Sequence, residues 1–268
     1  MPVFTVPIHE LREFNPCHAP SGSAAGGQFC SDDVPVTVAD DVGHAEAREV
    51  LGPGATLGQL KAIAQTFAGP ETPWIGVEIE QDRDVTDGDG VKFTFGGEGA
   101  IGYTSLVRTE SGFRRAELGL IWIEESKRKH GLSRPILRAM VAGWEQAGIS
   151  HVELDAVQLG AYAWLRYGFT PKMPEGSGVD ARRARGFTRY ARERLESLKN
   201  LSPETRQYIT KALDDVDAGD AKAAWRISDL RDGKRNIGFE MLQELAWRGE
   251  LNLNDPAQRA RFDHYLKG

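Results

Sequence analysis

Residues 117–133 read ELGLIWIEESKRKHGLS. Leu118, Leu120, Ile121, Trp122 and Ile123 place apolar side chains in both phases of an extended segment, which reads as a strand. A short polar loop follows and opens directly into a helical pattern, in which Ile136, Leu137, Met140, Val141 and Trp144 recur between Ser133 and Ala147 until Gly148 stops it. Pro135 lies near the first turn, where it is tolerated. A strand that runs through such a loop into a helix makes a cradle for an anion. The first helical turn leaves backbone N–H groups unpaired at the positive end of the helix dipole, and Gly131 lets the backbone come close. Arg128, Lys129 and His130 add positive charge, and Ser133 is small and able to cap the helix. The expected ligand is a phosphate or pyrophosphate.

Upstream, Thr56 followed by LGQLKAIAQTF puts Leu57, Leu60, Ile63, Ala64 and Phe67 on one helical face, with Thr56 as N-cap and Gly69 as stop. Strands are expected over 74–80, 91–95, 100–108 and 115–123, forming an antiparallel meander turned by the Asp/Gly cluster at 84–90. Downstream, 151–157 reads as a strand and Leu159–Tyr167 as a short helix, with Gly168-Phe169 as the exit into another extended piece, so the half from 115 onward is βαβα. Helices follow over 179–199, 203–218, 220–231 and 238–248, and a last one is headed by Asp255 as N-cap and Pro256 at its first position. The expected organisation is a flexible acidic tail over 1–49, an α/β domain over 50–178 and a helical region over 179–268.

These motifs resemble the GNAT superfamily of acetyl-CoA-dependent N-acetyltransferases. The family's signature is (Gln/Arg)-x-x-Gly-x-(Gly/Ala), five residues after the last inward apolar residue of its fourth strand. Here Arg128-x-x-Gly131-x-Ser133 stands five residues after Ile123, with Ser at the last small position. GAYAWLRYGF (160–169) fills the place of the family's Tyr-x-x-x-Gly-Phe segment, and the resemblance spans roughly 50–172. It implies a mixed, mostly antiparallel sheet flanked by helices, with acetyl-CoA as cosubstrate and a primary amine as acceptor. Pyrophosphate would lie on the N–H groups of Lys129, His130, Gly131, Leu132 and Ser133, and pantetheine along the strand edge carrying Ile121 and Ile123. Glu117 falls where many members carry a glutamate acting as general base, often through water, with Glu124 and Glu125 as further candidates. The family's leaving-group tyrosine position holds Trp164, which cannot protonate a thiolate. Tyr167, three residues on, shares its side of the helix, whereas Tyr162 lies two residues away and faces elsewhere. The fold of the family closes with two antiparallel strands where this chain reads as a basic helix.

Composition narrows the alternatives. The chain has 268 residues and a net charge of −6, which disfavours a protein that coats nucleic acid through its total charge. Residues 1–50 carry all of it, with eight acids against two bases, and the remainder balances. Cys17 and Cys30 cannot form a disulfide framework, His18 adds no second ligand pair for zinc, and no run is apolar enough to span a bilayer, so the expected setting is cytoplasmic with no metal site. The stretch Asn15–Phe29 resembles the short Gly-rich tails of proteins encoded in phage capsid and head-morphogenesis operons. That similarity gives an alternative role, a catalytically silent scaffold in a virion assembling through its tail or C-terminal helices. The run DARRARGFTRYARER (180–194) reads as a solvated helix paired with the chain's own acidic tail rather than as a nucleic-acid surface.

Overall fold

The computed structural model describes residues 36–39, 42–67, 74–80, 90–97, 99–108, 112–127, 132–172 and 179–267, of which 74–80 and 179–185 are described by backbone alone. The chain divides into two compact units, one of Met1–Thr104 with Leu120–Ala147 and the other of Ser105–Gly119 with Gly148–Gly268.

In the first unit, β1 (Val36–Val38) runs parallel to β2 (Trp74–Glu80), with Val36 opposite Ile75. Parallel neighbours need a long crossover, supplied here by α1 (His44–Leu51) and α2 (Leu57–Thr66). Thr56 starts α2 as its sequence requires. Its hydroxyl accepts from Gln59 N at 3.2 Å while its own N–H donates to Gln59 Oε1 at 2.8 Å, a reciprocal capping box. The helix ends at Thr66, and Gly69 lies outside the described residues. β2 pairs antiparallel with β3 (Gly90–Gly97) over seven residues, and β4 (Ala100–Arg108) and β5 (Arg114–Ile123) contribute Ala100–Thr104 and Leu120–Ile123. α3 (Ser133–Gln146) buries Ile136, Leu137, Met140 and Trp144. Phe67 meets Phe93 edge-on at 5.2 Å in the core. Gly143 lets α3 cross α2 closely, since a Cβ there would lie 2.5 Å from both Phe67 Cε1 and Thr66 Oγ1. Trp144 Nε1 donates to buried Thr104 Oγ1 at 3.2 Å.

In the second unit, β5 pairs parallel with β6 (His151–Val157) over Ala116–Leu118 alone. α4 (Leu159–Arg166) follows, then the two-residue β7 (Thr170–Pro171). Between β7 and its partner come α5 (Val179–Ser197), α6 (Pro203–Asp217), a 3-10 turn over Ala221–Ala223, α7 (Ala224–Ser228) and α8 (Ile237–Leu242). β8 (Ala246–Asn252) then pairs antiparallel with β6 on one side and β7 on the other, and α9 (Pro256–Lys267) closes the chain. Asp255 caps α9, its Oδ1 accepting from Ala257 N and Gln258 N at 2.9 and 3.0 Å. Gln258 is buried and donates to Gly168 O, Thr170 Oγ1 and Glu250 O while accepting from Asn252 N, so one amide ties α9 to β7 and β8. Gly168 (φ +93°) makes the turn that leaves α4, and a Cβ there would lie 2.8 Å from Gln258 O.

Hydrogen-bonded neighbours follow the order β1-β2-β3-β4-β5-β6-β8-β7. The chain is thus α/β, with a mostly antiparallel sheet flanked by helices. Two expectations are corrected. The segment 1–49 is not tail throughout, because β1 and most of α1 lie in it. Ala47 and Val50 are buried, so a charged octapeptide forms a helix once tertiary burial supplies what propensity does not. The region 179–268 is not a helical appendage. The expected helix at 238–248 stops at Leu242, and Trp247, Gly249 and Leu251 alternate inward on β8 within the sheet. The expected helix at 220–231 is a 3-10 turn followed by a five-residue helix. None of the described helices is long and apolar enough to cross a membrane.

Candidate functional site

The first unit contains the end of the strand that decided the fold and the helix it feeds. Leu120 is 43% exposed and Ile121, Trp122 and Ile123 are half-buried. The register between β5 and β6 ends at Leu118 opposite Leu154, so these residues lie beyond it. Glu124 N donates to Gly99 O at 2.8 Å, and a 3-10 turn over Glu125–Lys127 carries the chain away from the strand, with both Glu124 and Glu125 exposed. Arg128, Lys129, His130 and Gly131 lie outside the described residues.

The helix begins at Ser133, as its pattern requires, but Ser133 does not cap it. Leu132 is its N-cap, in the helical region of backbone space and without a side-chain cap, and Ser133 is the first helical residue rather than the cap. Pro135 at the third position has no N–H, so the backbone donors of the first turn are those of Ser133 and Arg134. Arg134 was not singled out by sequence reasoning. It is half-buried and makes no hydrogen bond or ion pair among the described residues. A cation in the first turn opposes the helix dipole, an arrangement that a bound anion would reverse. The only sequence signal was its adjacency to Ser133.

The candidate catalytic residues lie in the second unit. Glu117 stands opposite Glu153 in the β5–β6 register, and both join a charged network on that face of the sheet. Glu117 Oε1 accepts from Arg115 Nη2 at 2.6 Å and Nε at 3.2 Å, with Arg248 Nη2 at 3.9 Å. Glu153 accepts from Lys172 Nζ at 2.6 Å on one oxygen and from Arg248 Nη2 at 2.8 Å on the other. Burial pushes the Glu153 carboxyl up, but the Lys172 hydrogen bond and the charges of Arg115, Lys172 and Arg248 outweigh it and hold the group below the usual carboxylate range. Burial pushes His151 down, against the opposing charge of Glu153. Glu117 thus lies between two arginines, Arg115 and Arg248.

Tyr162 turns away from Trp164, as its place on the helix requires. Its oxygen accepts from Arg166 Nη1 at 2.8 Å and Asn236 Nδ2 at 3.0 Å, and its ring stands edge-on to Phe239. Tyr167 follows α4 and packs beside Trp164 with ring centroids 5.7 Å apart. The structure thus groups Ile121, Ile123, Leu132 and Ser133 in one unit and Glu117, Tyr162 and Tyr167 in the other.

Comparison with family models, with curated proteins and with solved structures finds no significant match.

On α5, Arg192 bonds Asp214 and Asp217 of α6 at 2.8 Å each and Arg194 meets Glu244 at 3.0 Å, so these arginines find partners within the C-terminal region. The side chains of Arg182, Arg183 and Arg185 lie outside the described residues, as do Cys17, His18 and Cys30. Among the described residues, no group of three or more His, Cys, Asp or Glu is arranged to hold a metal ion.

Proposed function

We propose that the chain is an acyl-CoA-dependent N-acyltransferase of GNAT type, acting on a primary amine. The observation that carries this reading is the first turn of α3, where Arg134, which has no hydrogen bond or ion pair among the described residues, stands at the positive end of a fourteen-residue helix. These groups suit a diphosphate. The motif Arg128-x-x-Gly131-x-Ser133 leads into this turn. Two further features favour the reading: parallel β5 and β6 share only three registered residues, and β6, β8 and β7 form an antiparallel close. The strand residues after Leu118 offer backbone groups along which a pantetheine arm can lie as an added strand.

The bound thioester would supply an activated acyl carbon. The chain's residues orient it, a β5 N–H polarises the carbonyl, and Glu117 draws a proton from the ammonium through water. The amine nitrogen forms a bond to the acyl carbon, the C–S bond breaks, and the proton the nitrogen sheds on becoming an amide passes to the departing thiolate through Tyr167 or water, because Trp164 cannot relay it.

The test is thiol release from acetyl-CoA with a panel of polyamines and lysine peptides. Amine-dependent release that falls about 10²- to 10⁴-fold in Glu117→Gln fits a general base. No release with any amine, despite acetyl-CoA binding, favours the scaffold reading, which Trp164 packed against Tyr167 and Phe169 also suits.

A further inference from the structure

The second unit holds a cleft of about 510 Å³ between the end of α4, the segment after α7 and one side of α9. Its lining carries Arg166, Arg231 and Arg261 against the single acid Asp229, with His264 and Tyr265 beside them. Arg261 spends Asp229. It holds that carboxylate bidentately at 2.7 and 2.8 Å, and its Nε and Nη2 also donate to Leu165 O and Ser228 Oγ. The lining thus offers one carboxylate for three guanidiniums. Arg166 gives Nη1 to Tyr162, but its Nε lies 3.7 Å from Asp229 Oδ1 and is the one buried side-chain nitrogen or oxygen among the described residues without a hydrogen bond. Arg231 is exposed and has no partner among the described residues. Two unbalanced positive charges thus face one cleft in a chain whose net charge is −6.

The wall is aromatic as well as cationic, since the Tyr265 ring lies under Arg166 with the guanidinium carbon 4.6 Å from its centroid. A volume near 510 Å³ suits a small metabolite rather than a bare ion. Two guanidiniums match a dianion, and their planar forks fit phosphate oxygens in pairs. We propose that this cleft binds a small phosphomonoester, of the class of the sugar phosphates, through Arg231 and Arg166. The site is built wholly from residues of the second unit and does not depend on the acyltransferase reading.

Titration calorimetry of the full chain with ribose 5-phosphate and glucose 6-phosphate, against ribose and glucose, tests it. The phosphorylated sugars bind, their uncharged counterparts do not, and Arg231→Ala weakens binding about tenfold, the scale of one charged hydrogen bond. Because Arg231 is exposed and unpartnered, the variant keeps the thermal midpoint of the parent, which separates a lost contact from a lost fold. The proposal is overturned by no binding of either phosphate at millimolar concentration, or by equal binding to the Arg231→Ala chain.

Discussion

Replacing Glu153 by Gln keeps the side chain's size and removes the charge on which three cations converge. In the native chain Lys172 Nζ lies 2.6 Å from Oε1, Arg248 reaches Oε2 through Nε at 3.1 Å and Nη2 at 2.8 Å, and Arg115 Nη1 stands 3.9 Å away. The side chains of Glu153, Arg115 and Arg248 are 11%, 5% and 18% exposed, so water replaces little of what is lost. After the change these cations lose the carboxylate on which they converge, and the expected destabilisation is about 3 kcal/mol at neutral pH, the cost of breaking a buried charge pair. Because the folded carboxyl titrates below its ordinary value of 4.5, its contribution is complete above that value and is lost as pH falls through the folded pKa. Urea unfolding followed by tryptophan fluorescence, at neutral pH and stepwise toward acid, reads both effects. The gap between parent and Glu153→Gln should narrow on acidification. A loss below about 1 kcal/mol at neutral pH, typical of a solvated surface pair, or a gap that stays constant into acid, would refute the reasoning.

Gly143→Val drives a branched side chain into Phe67 and Thr66 at the α2–α3 crossing and should cost about 1–3 kcal/mol by overpacking, measurable as a lower thermal midpoint. Gln258→Leu leaves the groups its amide satisfied at Gly168, Glu250 and Asn252 without that partner, and a loss of roughly 3 kcal/mol in denaturant titration is expected. His151 titrates below its ordinary 6.5 in the folded chain, so it adds stability above that value which fades as pH falls through the folded pKa. His151→Gln should flatten the stability profile just below pH 6.5, and an unchanged slope there would contradict the burial assigned to it.

The strand and helix that decide the fold were legible because their signals are local. Strand 151–157 and the start of α3's apolar stripe at Ile136 follow directly from periodicity, and Thr56 and Asp255 cap their helices through side chains whose chemistry favours that place. β1 was missed because three residues carry no period, and its pairing with Ile75 and its neighbours is decided by partners far along the chain. β8 was missed for a different reason. Met241, Leu242 and Leu245 continue a helical spacing into Trp247, while the alternation of Trp247, Gly249 and Leu251 that marks the strand begins within the same stretch. The ion network binding Glu117 was illegible, since Arg248 and Lys172 reach its neighbour Glu153 only after β7 and β8 join β6. The cationic cleft likewise gathers Arg166, Arg231 and Arg261 across nearly a hundred residues with no spacing to announce it.

The proposed binding of acetyl-CoA at the start of α3 is tested most directly by calorimetric titration of the full chain with acetyl-CoA, beside Arg134→Ala and Gly131→Asp. The parent should bind, Arg134→Ala should bind at least about tenfold more weakly through loss of a charge-assisted contact, and Gly131→Asp should abolish binding by setting a carboxylate against the diphosphate. No heat with the parent chain, or equal affinity in all three proteins, would contradict the cradle.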